Sequence, residues 1–341
     1  MTALHSASRW VSQLNWAPDL ATYDALAEQP DDLLVARAAS GYLEYEVLLR
    51  PSWVDANRRF RWMFAPGSER TSPLNTVPAA LAPLLTDQRR LSDARWSLAA
   101  GNPAAPWQLH FAPGRATVEM HIRRLHHTNP GESAAVFGAA AALGQALRSL
   151  GAITAEAPEA AAQLDAPRPL RRLDHWLRTG DGPWGATMLH DRMVQVLGPA
   201  RLREVGEWIN DVPAERIVHG RAGLHTVVVP ETTARPAVLL GDEIAYGPKA
   251  YDLGWVLGQI LVQQLLLSSE PATATGEQQN ELYVRARDHF LTAYGASENP
   301  ELAGRWTIAR ILLEIHDAAA FRDEQLHQLL DVVAELYDVA R

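Results

Sequence analysis

The stretch of chain that decides the fold is residues 217–257, IVHGRAGLHTVVVPETTARPAVLLGDEIAYGPKAYDLGWVL. Short apolar runs at 216–218, 226–229 and 237–240 have the length and composition of buried strands. A helical apolar pattern starts at Tyr251. The stretch therefore predicts a polar loop between short strands, followed by an acidic turn and a helix.

Strand patterns dominate the chain before residue 130. Residues 58–64 alternate arginine or methionine with phenylalanine or tryptophan, which is the period of two typical of a strand. Pro113 and Gly114 predict a tight turn between strands at 107–111 and 117–125, so we expect a second hairpin there, with Glu119, His121 and Arg123 on its polar face. The other predicted elements of this part are a leading helix within 1–30, strands at 32–39 and 42–49, and a proline-broken helical stretch at 74–99.

Helical patterns dominate the chain after residue 130. The predicted helices are 134–150, 170–178, 185–197, 200–209 and, with a polar gap at 268–276, the chain from 251 to its end. A β-rich front part followed by a helix-rich part is an α+β, bilobal pattern. We therefore expect a small N-terminal lobe over 1–128 and a larger helical lobe over 129–341.

Composition excludes several classes of function. The chain has 341 residues, a formal net charge of -9 and no cysteine. A net-acidic surface does not favour nucleic acid, and the lack of thiols excludes disulfides and cysteine nucleophiles. No window of about 18 consecutive apolar residues occurs, so no membrane partner is expected and a cytoplasmic location is predicted.

The motifs of the 217–257 stretch resemble the catalytic core of the aminoglycoside phosphotransferase and choline kinase family, a branch of the protein-kinase-like fold. That family carries His-Gly-Asp with an asparagine five residues after the aspartate, then a second aspartate, then Tyr-Asp-Leu. The matching positions here are His219-Gly220-Arg221, Thr226, Asp242-Glu243, Pro248 and Tyr251-Asp252-Leu253. The resemblance implies a bilobal protein-kinase-like fold.

The resemblance also implies which positions would carry phosphoryl transfer. The family's first aspartate orients the acceptor hydroxyl, whereas its asparagine and second aspartate hold Mg²⁺, which prefers oxygen ligands. Asp242 retains the metal position, with Glu243 beside it, but Thr226 replaces the asparagine. Arg221 replaces the first aspartate and cannot accept a proton. His219 is then an alternative base, since imidazole titrates near neutral pH, and we expect His225 of the same loop to face the active cleft.

The nucleotide-binding part of the family pattern is altered as well. Lys249 is the single lysine, so the lysine that the family places on its third strand is absent. Strand order makes Arg59 or Arg61 its nearest substitute, and no G-x-G-x-x-G loop is present. The boundary between the two predicted lobes, near 125–132, is predicted to be a hinge. His126 and His127 lie in it, where backbone groups would line a nucleotide pocket.

Three functions stay open on these residues. The first is a phosphotransferase that uses ATP and Mg²⁺ to phosphorylate a peptide Ser/Thr or a small molecule, in natural-product biosynthesis of the lanthipeptide or thioamide type. The second is a pseudokinase that acts as a scaffold for a peptide or for a partner enzyme of the same pathway. The third is a different transfer reaction, with the nucleotide inverted and Arg221 clamping phosphate. We also expect the Asp252 carboxylate to cap its helix and brace the loop backbone.

Overall fold

The structure is a computed structural model of the chain. The residues that it describes are 36–40, 45–52, 59–67, 70, 74, 77–87, 93–99, 108–124, 130–182, 185–211, 214–268, 273–295, 300–319 and 324–339. The predicted leading helix within 1–30 lies outside these residues. His126 and His127 also lie outside them, so their proposed role in a nucleotide pocket stays a prediction.

The described residues form ten strands and ten helices. The strands are β1 (Ala36–Ser40), β2 (Tyr45–Ser52), β3 (Arg59–Pro66), β4 (Arg95–Leu98), β5 (Gln108–Ala112), β6 (Ala116–Thr117), β7 (Arg216–Val218), β8 (Val227–Val229), β9 (Ala237–Leu240) and β10 (Ala245–Gly247). The helices are α1 (Ala82–Thr86), α2 (Val118–Arg124), α3 (Pro130–Ile153), α4 (Pro158–Ala161), α5 (Arg168–Thr179), α6 (Ala186–Asn210), α7 (Tyr251–Ser268), α8 (Ala274–Tyr294), α9 (Pro300–Ala318) and α10 (Glu324–Val339). The architecture is therefore mixed, with small sheets and a larger helical part.

The chain divides into two compact units. The first unit takes its residues from Met1–Ser149, Leu224–Asp242 and Asp288–Tyr294. The second takes them from Leu150–Gly223, Glu243–Arg287 and Gly295–Arg341. The stretch that resembles a kinase core thus contributes residues to both units, and the predicted lobe boundary at 128 and 129 stays a prediction.

An antiparallel sheet in the order β1-β2-β3-β5 belongs to the first unit. The prediction of a strand at 58–64 is confirmed, because the alternation places Phe60, Trp62 and Phe64 in a buried apolar cluster. Leu239 and Ala237 of β9 belong to the same cluster. The ends of β3 and β9 are therefore fixed relative to each other by a shared core.

The predicted second hairpin at 107–125 is wrong. β5 pairs with β3, whereas β6 pairs with β8, so the two strands around the Pro113-Gly114 turn belong to different sheets. Residues from Val118 onward are helical, because the Thr117 hydroxyl accepts a hydrogen bond from the Met120 backbone N–H at 3.3 Å and caps α2. Glu119, predicted to face away from the core, is buried in this helix.

The predicted helical stretch at 74–99 is also only partly correct. α1 is a five-residue helix, and the end of the stretch is strand β4, which pairs in parallel with β9. β4, β9, β8 and β6 form the second sheet of the first unit, in that order. Trp96 is buried in β4. The helical periodicity of the sequence at 74–99 does not predict the packing of this strand.

The helices of the second unit follow the sequence prediction closely. The two helices predicted at 185–197 and 200–209 are the two segments of α6, which breaks at Gly198 with φ 76° before Pro199. β7 pairs with β10 in a two-stranded sheet, and β10 was not predicted. α7 packs closely on α9, since the Thr307 hydroxyl donates to the Gly254 carbonyl at 3.1 Å.

One helix is long and apolar enough to pass a test for a membrane span. Residues 133–153 of α3 have a mean hydropathy of 1.3, and 61% of that window is buried inside the structure. The buried core helix of a globular protein passes the same test by length and composition. The finding is therefore weak evidence for a membrane segment.

Candidate functional site

A braced loop follows β7 in the second unit. The Asp252 carboxylate accepts hydrogen bonds from the backbone N–H of His219 at 2.8 Å and from that of Gly220 at 3.2 Å. Asp252 is buried as the second residue of α7, so it lies inside the first turn and not at the predicted cap position. The prediction that this carboxylate braces the loop is confirmed, and N–H donors to a charged acceptor make hydrogen bonds of the stronger kind.

The second residue of the braced loop, Gly220, has a backbone conformation that favours glycine. Its φ is 79°, and a Cβ at this position would collide with the Glu243 carbonyl oxygen. The Tyr251 hydroxyl donates to the Gly220 carbonyl at 3.1 Å. Burial, with the carboxylates of Asp252 and Glu243 adding to it, raises the pKa of Tyr251 well above its usual value, so the phenol stays a donor.

Replacing Gly220 with alanine is expected to lower the free energy of unfolding by roughly 1–3 kcal/mol, because a strained backbone adds to the steric conflict with the Glu243 carbonyl. Urea unfolding followed by circular dichroism measures this change. Gly206→Ala is the matched control, since no heavy atom lies within 4 Å of a Cβ there and the position is inside α6. A Gly220→Ala protein as stable as the Gly206→Ala protein would contradict the loop geometry.

Arg221 follows the braced dipeptide directly. Its backbone N–H donates to the Nδ1 of His219 at 3.3 Å, so this ring nitrogen acts as an acceptor inside the loop. His219 is buried, whereas Arg221 is partly exposed. The loop therefore holds a fixed positive charge at the position where the resemblance implies a catalytic carboxylate.

Asp242, at the end of the β9 segment in the first unit, forms a buried ion pair with Arg70. The Nη2 of Arg70 lies 2.8 Å from the Oδ1 and 2.8 Å from the Oδ2 of Asp242. The two side chains are 0% and 4% exposed. Sequence reasoning missed Arg70, because a single arginine beyond the end of β3 carries no motif.

The ion pair with Arg70 does not fit a magnesium site at the Asp242 carboxylate in this arrangement. The Oδ1 of Asp242 accepts a hydrogen bond from the Nη2 of Arg70, and the same nitrogen lies 2.8 Å from the Oδ2, whereas Mg²⁺ requires near-ideal octahedral oxygen geometry. Thr226 is buried, with its backbone carbonyl accepting from the Leu239 N–H at 2.9 Å. Among the residues that the structure describes, no group of three or more histidine or acidic side chains is arranged to hold a metal.

His225 lies beside a carboxylate that the sequence analysis did not select. Its Nδ1 is 4.0 Å from the Oε2 of Glu119, and the Oε1 of Glu119 is 3.8 Å from the Nε of Arg123. His225 and Glu119 are both buried in the first unit. Glu119 escaped prediction because residues 117–125 read as a strand with this side chain on the polar face.

Polar side chains of β5 approach the chain just before Asp242. A Cβ at Gly241 would lie 3.1 Å from the Oε1 of Gln108 and 3.4 Å from the Nε2 of His110. The Nδ1 of His110 is 2.7 Å from the Ser97 carbonyl, so a neutral ring donates there. Burial lowers the pKa of His110 to about 4, against a smaller opposing effect of that hydrogen bond.

His110 is expected to make the protein less stable in mild acid. The folded ring resists protonation and the unfolded ring does not. The free energy of unfolding is therefore highest above pH 6.5 and decreases with falling pH until the folded pKa near 4 is reached. This amounts to about 1 kcal/mol between about pH 7 and about pH 5.5. Urea unfolding of the wild type and of His110→Gln at both pH values measures it, and an equal slope in the two proteins would contradict it.

The predicted site residues are shared between the two units. Arg61 lies on β3 and is partly exposed, whereas its neighbours Phe60 and Trp62 are buried. Arg59 is the first residue of β3. The first unit holds Arg59, Arg61, His225, Thr226 and Asp242, and the second holds His219, Arg221 and Glu243. Their roles as site residues stay predictions.

No protein-family model matches the chain, and no curated protein is significantly similar to it. Among solved structures, the chain is similar to a glucosamine kinase at 15% identity, with a TM-score of 0.46 over 96% of this chain and 99% of the other. It is also similar to a glucosamine kinase in complex with glucosamine, ADP and inorganic phosphate, at 17% identity and a TM-score of 0.38, over 94% and 77% of the two chains. A further glucosamine kinase structure is 16% identical, with a TM-score of 0.35, over 93% and 92%.

Proposed function

We propose that this protein is a divergent phosphotransferase of the kinase-like fold. It transfers a phosphoryl group from ATP to a hydroxyl of a peptide Ser/Thr or of a small molecule in natural-product biosynthesis. The observation that carries the proposal is the braced loop at His219 and Gly220, where a buried carboxylate binds two successive backbone N–H groups. The same loop fixes the backbone at Arg221, whose N–H donates to the Nδ1 of His219 at 3.3 Å.

The construction of the loop favours a binding role for Arg221. Burial of the Asp252 carboxylate has an unfavourable free energy of dehydration. Its two hydrogen bonds offset this cost and fix the loop backbone. A group held rigidly by its surroundings stabilises charge in a reacting ligand without reorganising during the reaction. A guanidinium is also the side chain whose planar donors match phosphate oxygens.

The roles of the remaining groups follow from what the loop contains. In our proposal the bond from the γ-phosphorus to the bridging oxygen of ADP breaks as the bond to the acceptor oxygen forms, and the hydroxyl proton passes to solvent. Arg221 cannot take that proton, so it compensates phosphate charge. Phosphoryl transfer passes through a loose transition state and depends mainly on positioning and charge stabilisation, so a strong base is not its first requirement. Magnesium has no role in the proposed reaction, because Asp242 is bound by Arg70.

Nucleotide binding tests the proposal before the acceptor is known. Isothermal titration of the full chain with ATP should detect binding, and Arg221→Gln should weaken it by about tenfold, the loss of one charge-assisted contact. Arg203→Gln is the matched control, because Arg203 is 73% exposed on α6 in the same unit. If the wild type binds no nucleotide, or if both variants bind like the wild type, the proposal fails.

A second candidate function, a pseudokinase scaffold, is favoured by the ion pair of Arg70 and Asp242. Arg70 neutralises Asp242, the one aspartate of the family pattern that the sequence retains at these positions. Arg221 replaces the family's first aspartate. A scaffold would bind a peptide or a partner enzyme of the same pathway without releasing ADP. Candidate peptides are first selected by their retention on a column that carries the protein. A coupled assay of ADP release with these peptides then separates the two functions, because a scaffold would release no ADP.

A further inference from the structure

We infer that the guanidinium of Arg70 takes the place of a metal ion at Asp242, so that this chain binds nucleotide without a divalent cation. The statement about nucleotide rests on the proposed function. The statement about Asp242 does not, because it concerns only the ion pair within the first unit.

Arg70 occupies the position that a cation bound by both oxygens of Asp242 would take. One nitrogen of Arg70 lies 2.8 Å from each oxygen of the Asp242 carboxylate, which places it between the two oxygens. A cation bound by both oxygens would occupy the same position. Since the carboxylate and the guanidinium side chains are 4% and 0% exposed, an incoming ion would have to displace a buried group.

The positive charge of Arg70 also opposes a metal ion at Asp242. The guanidinium is not deprotonated in proteins, so it neutralises Asp242 at any pH at which the carboxylate is ionised. A divalent ion at the same carboxylate would stand next to a buried like charge, which is costly because burial weakens solvent screening. The pair thus opposes a metal by its charge and occupies the position of a cation bound by both oxygens.

The packing of the first unit brings Arg70 and Asp242 together. Arg70 follows β3, and Asp242 follows β9. Phe60, Trp62 and Phe64 of β3 share one buried cluster with Leu239 of β9. The meeting of the two charges is therefore built into a core of close-packed side chains, which resist displacement.

The metal is tested alone on the full chain. Titration with Mn²⁺, followed by electron paramagnetic resonance, should show no wild-type site tighter than about 1 mM that is lost in the double variant Arg70→Gln, Asp242→Asn, which leaves no buried charge unpaired. Such a site would overturn the inference. Because this titration contains no nucleotide, it tests for a metal ion at Asp242 even if the proposed function is wrong. If the wild type binds no Mn²⁺ at all, a metal site at Asp242 is excluded without the variant.

The nucleotide arm uses ADP with the same protein. The affinity measured by calorimetry should differ by less than about fivefold between buffer with EDTA and buffer with Mg²⁺, whereas a larger gain with Mg²⁺ would overturn the inference. Arg203→Gln should behave like the wild type in both buffers. If ADP binds in neither buffer, the proposed function fails and the Mn²⁺ arm still decides the role of Arg70.

Discussion

Replacing Asp252 with alanine should lower the free energy of unfolding by roughly 2–6 kcal/mol, because two buried backbone donors lose their acceptor together. The amide that Asp252→Asn introduces keeps one acceptor oxygen, so we expect a smaller loss in that variant. Urea unfolding at neutral pH measures both variants. Asp191→Ala is the control, since Asp191 is exposed on α6 and its loss should change stability by no more than about 0.5 kcal/mol.

Hydrogen exchange distinguishes the brace from a general loss of packing. In the wild type, the amides of His219 and Gly220 should exchange slowly, because both are buried and hydrogen-bonded to the same carboxylate. In Asp252→Asn, their protection should fall more than that of amides within α9. If all amides lost protection to the same degree, or if these two were unprotected in the wild type, Asp252 would not be a specific brace.

The elements that sequence reasoning predicted correctly are those whose signal is local. The alternation of residues 58–64 reports a strand with one buried face, and the break at Gly198 before Pro199 separates two helical patterns. The Tyr-Asp-Leu motif located Asp252 and its brace. In each case, the residues that decide the structure lie within one element or one motif.

The errors arose where distant pairing overrides local pattern. Strands β5 and β6 flank a turn sequence, yet each pairs with a strand elsewhere in the chain, and Thr117 caps a helix where alternation indicated a strand. Arg70 and Asp242 are 172 residues apart and meet only because β3 and β9 share a core. No local pattern encodes such a meeting, so the partner of the metal-position aspartate was found only in the structure.

The same ion pair changes how a variant of Asp242 must be interpreted. Loss of ADP release in Asp242→Ala would indicate a metal ligand only if the protein were otherwise intact. Removing this carboxylate leaves the buried guanidinium of Arg70 without its counter-charge, which destabilises the fold itself. Activity lost in this variant therefore has to be compared with stability measured on the same protein.

A double-mutant cycle separates the two effects and has the other large expected outcome. Arg70→Gln and Asp242→Asn should each lower the free energy of unfolding by about 3–5 kcal/mol, because each leaves one buried charge uncompensated. The double variant replaces the ion pair by two neutral amides of similar size, so it should be more stable than either single variant. Urea unfolding of the four proteins measures the coupling. Additive losses would mean that the two charges do not depend on each other, and the buried pair would then not be the feature that holds Asp242.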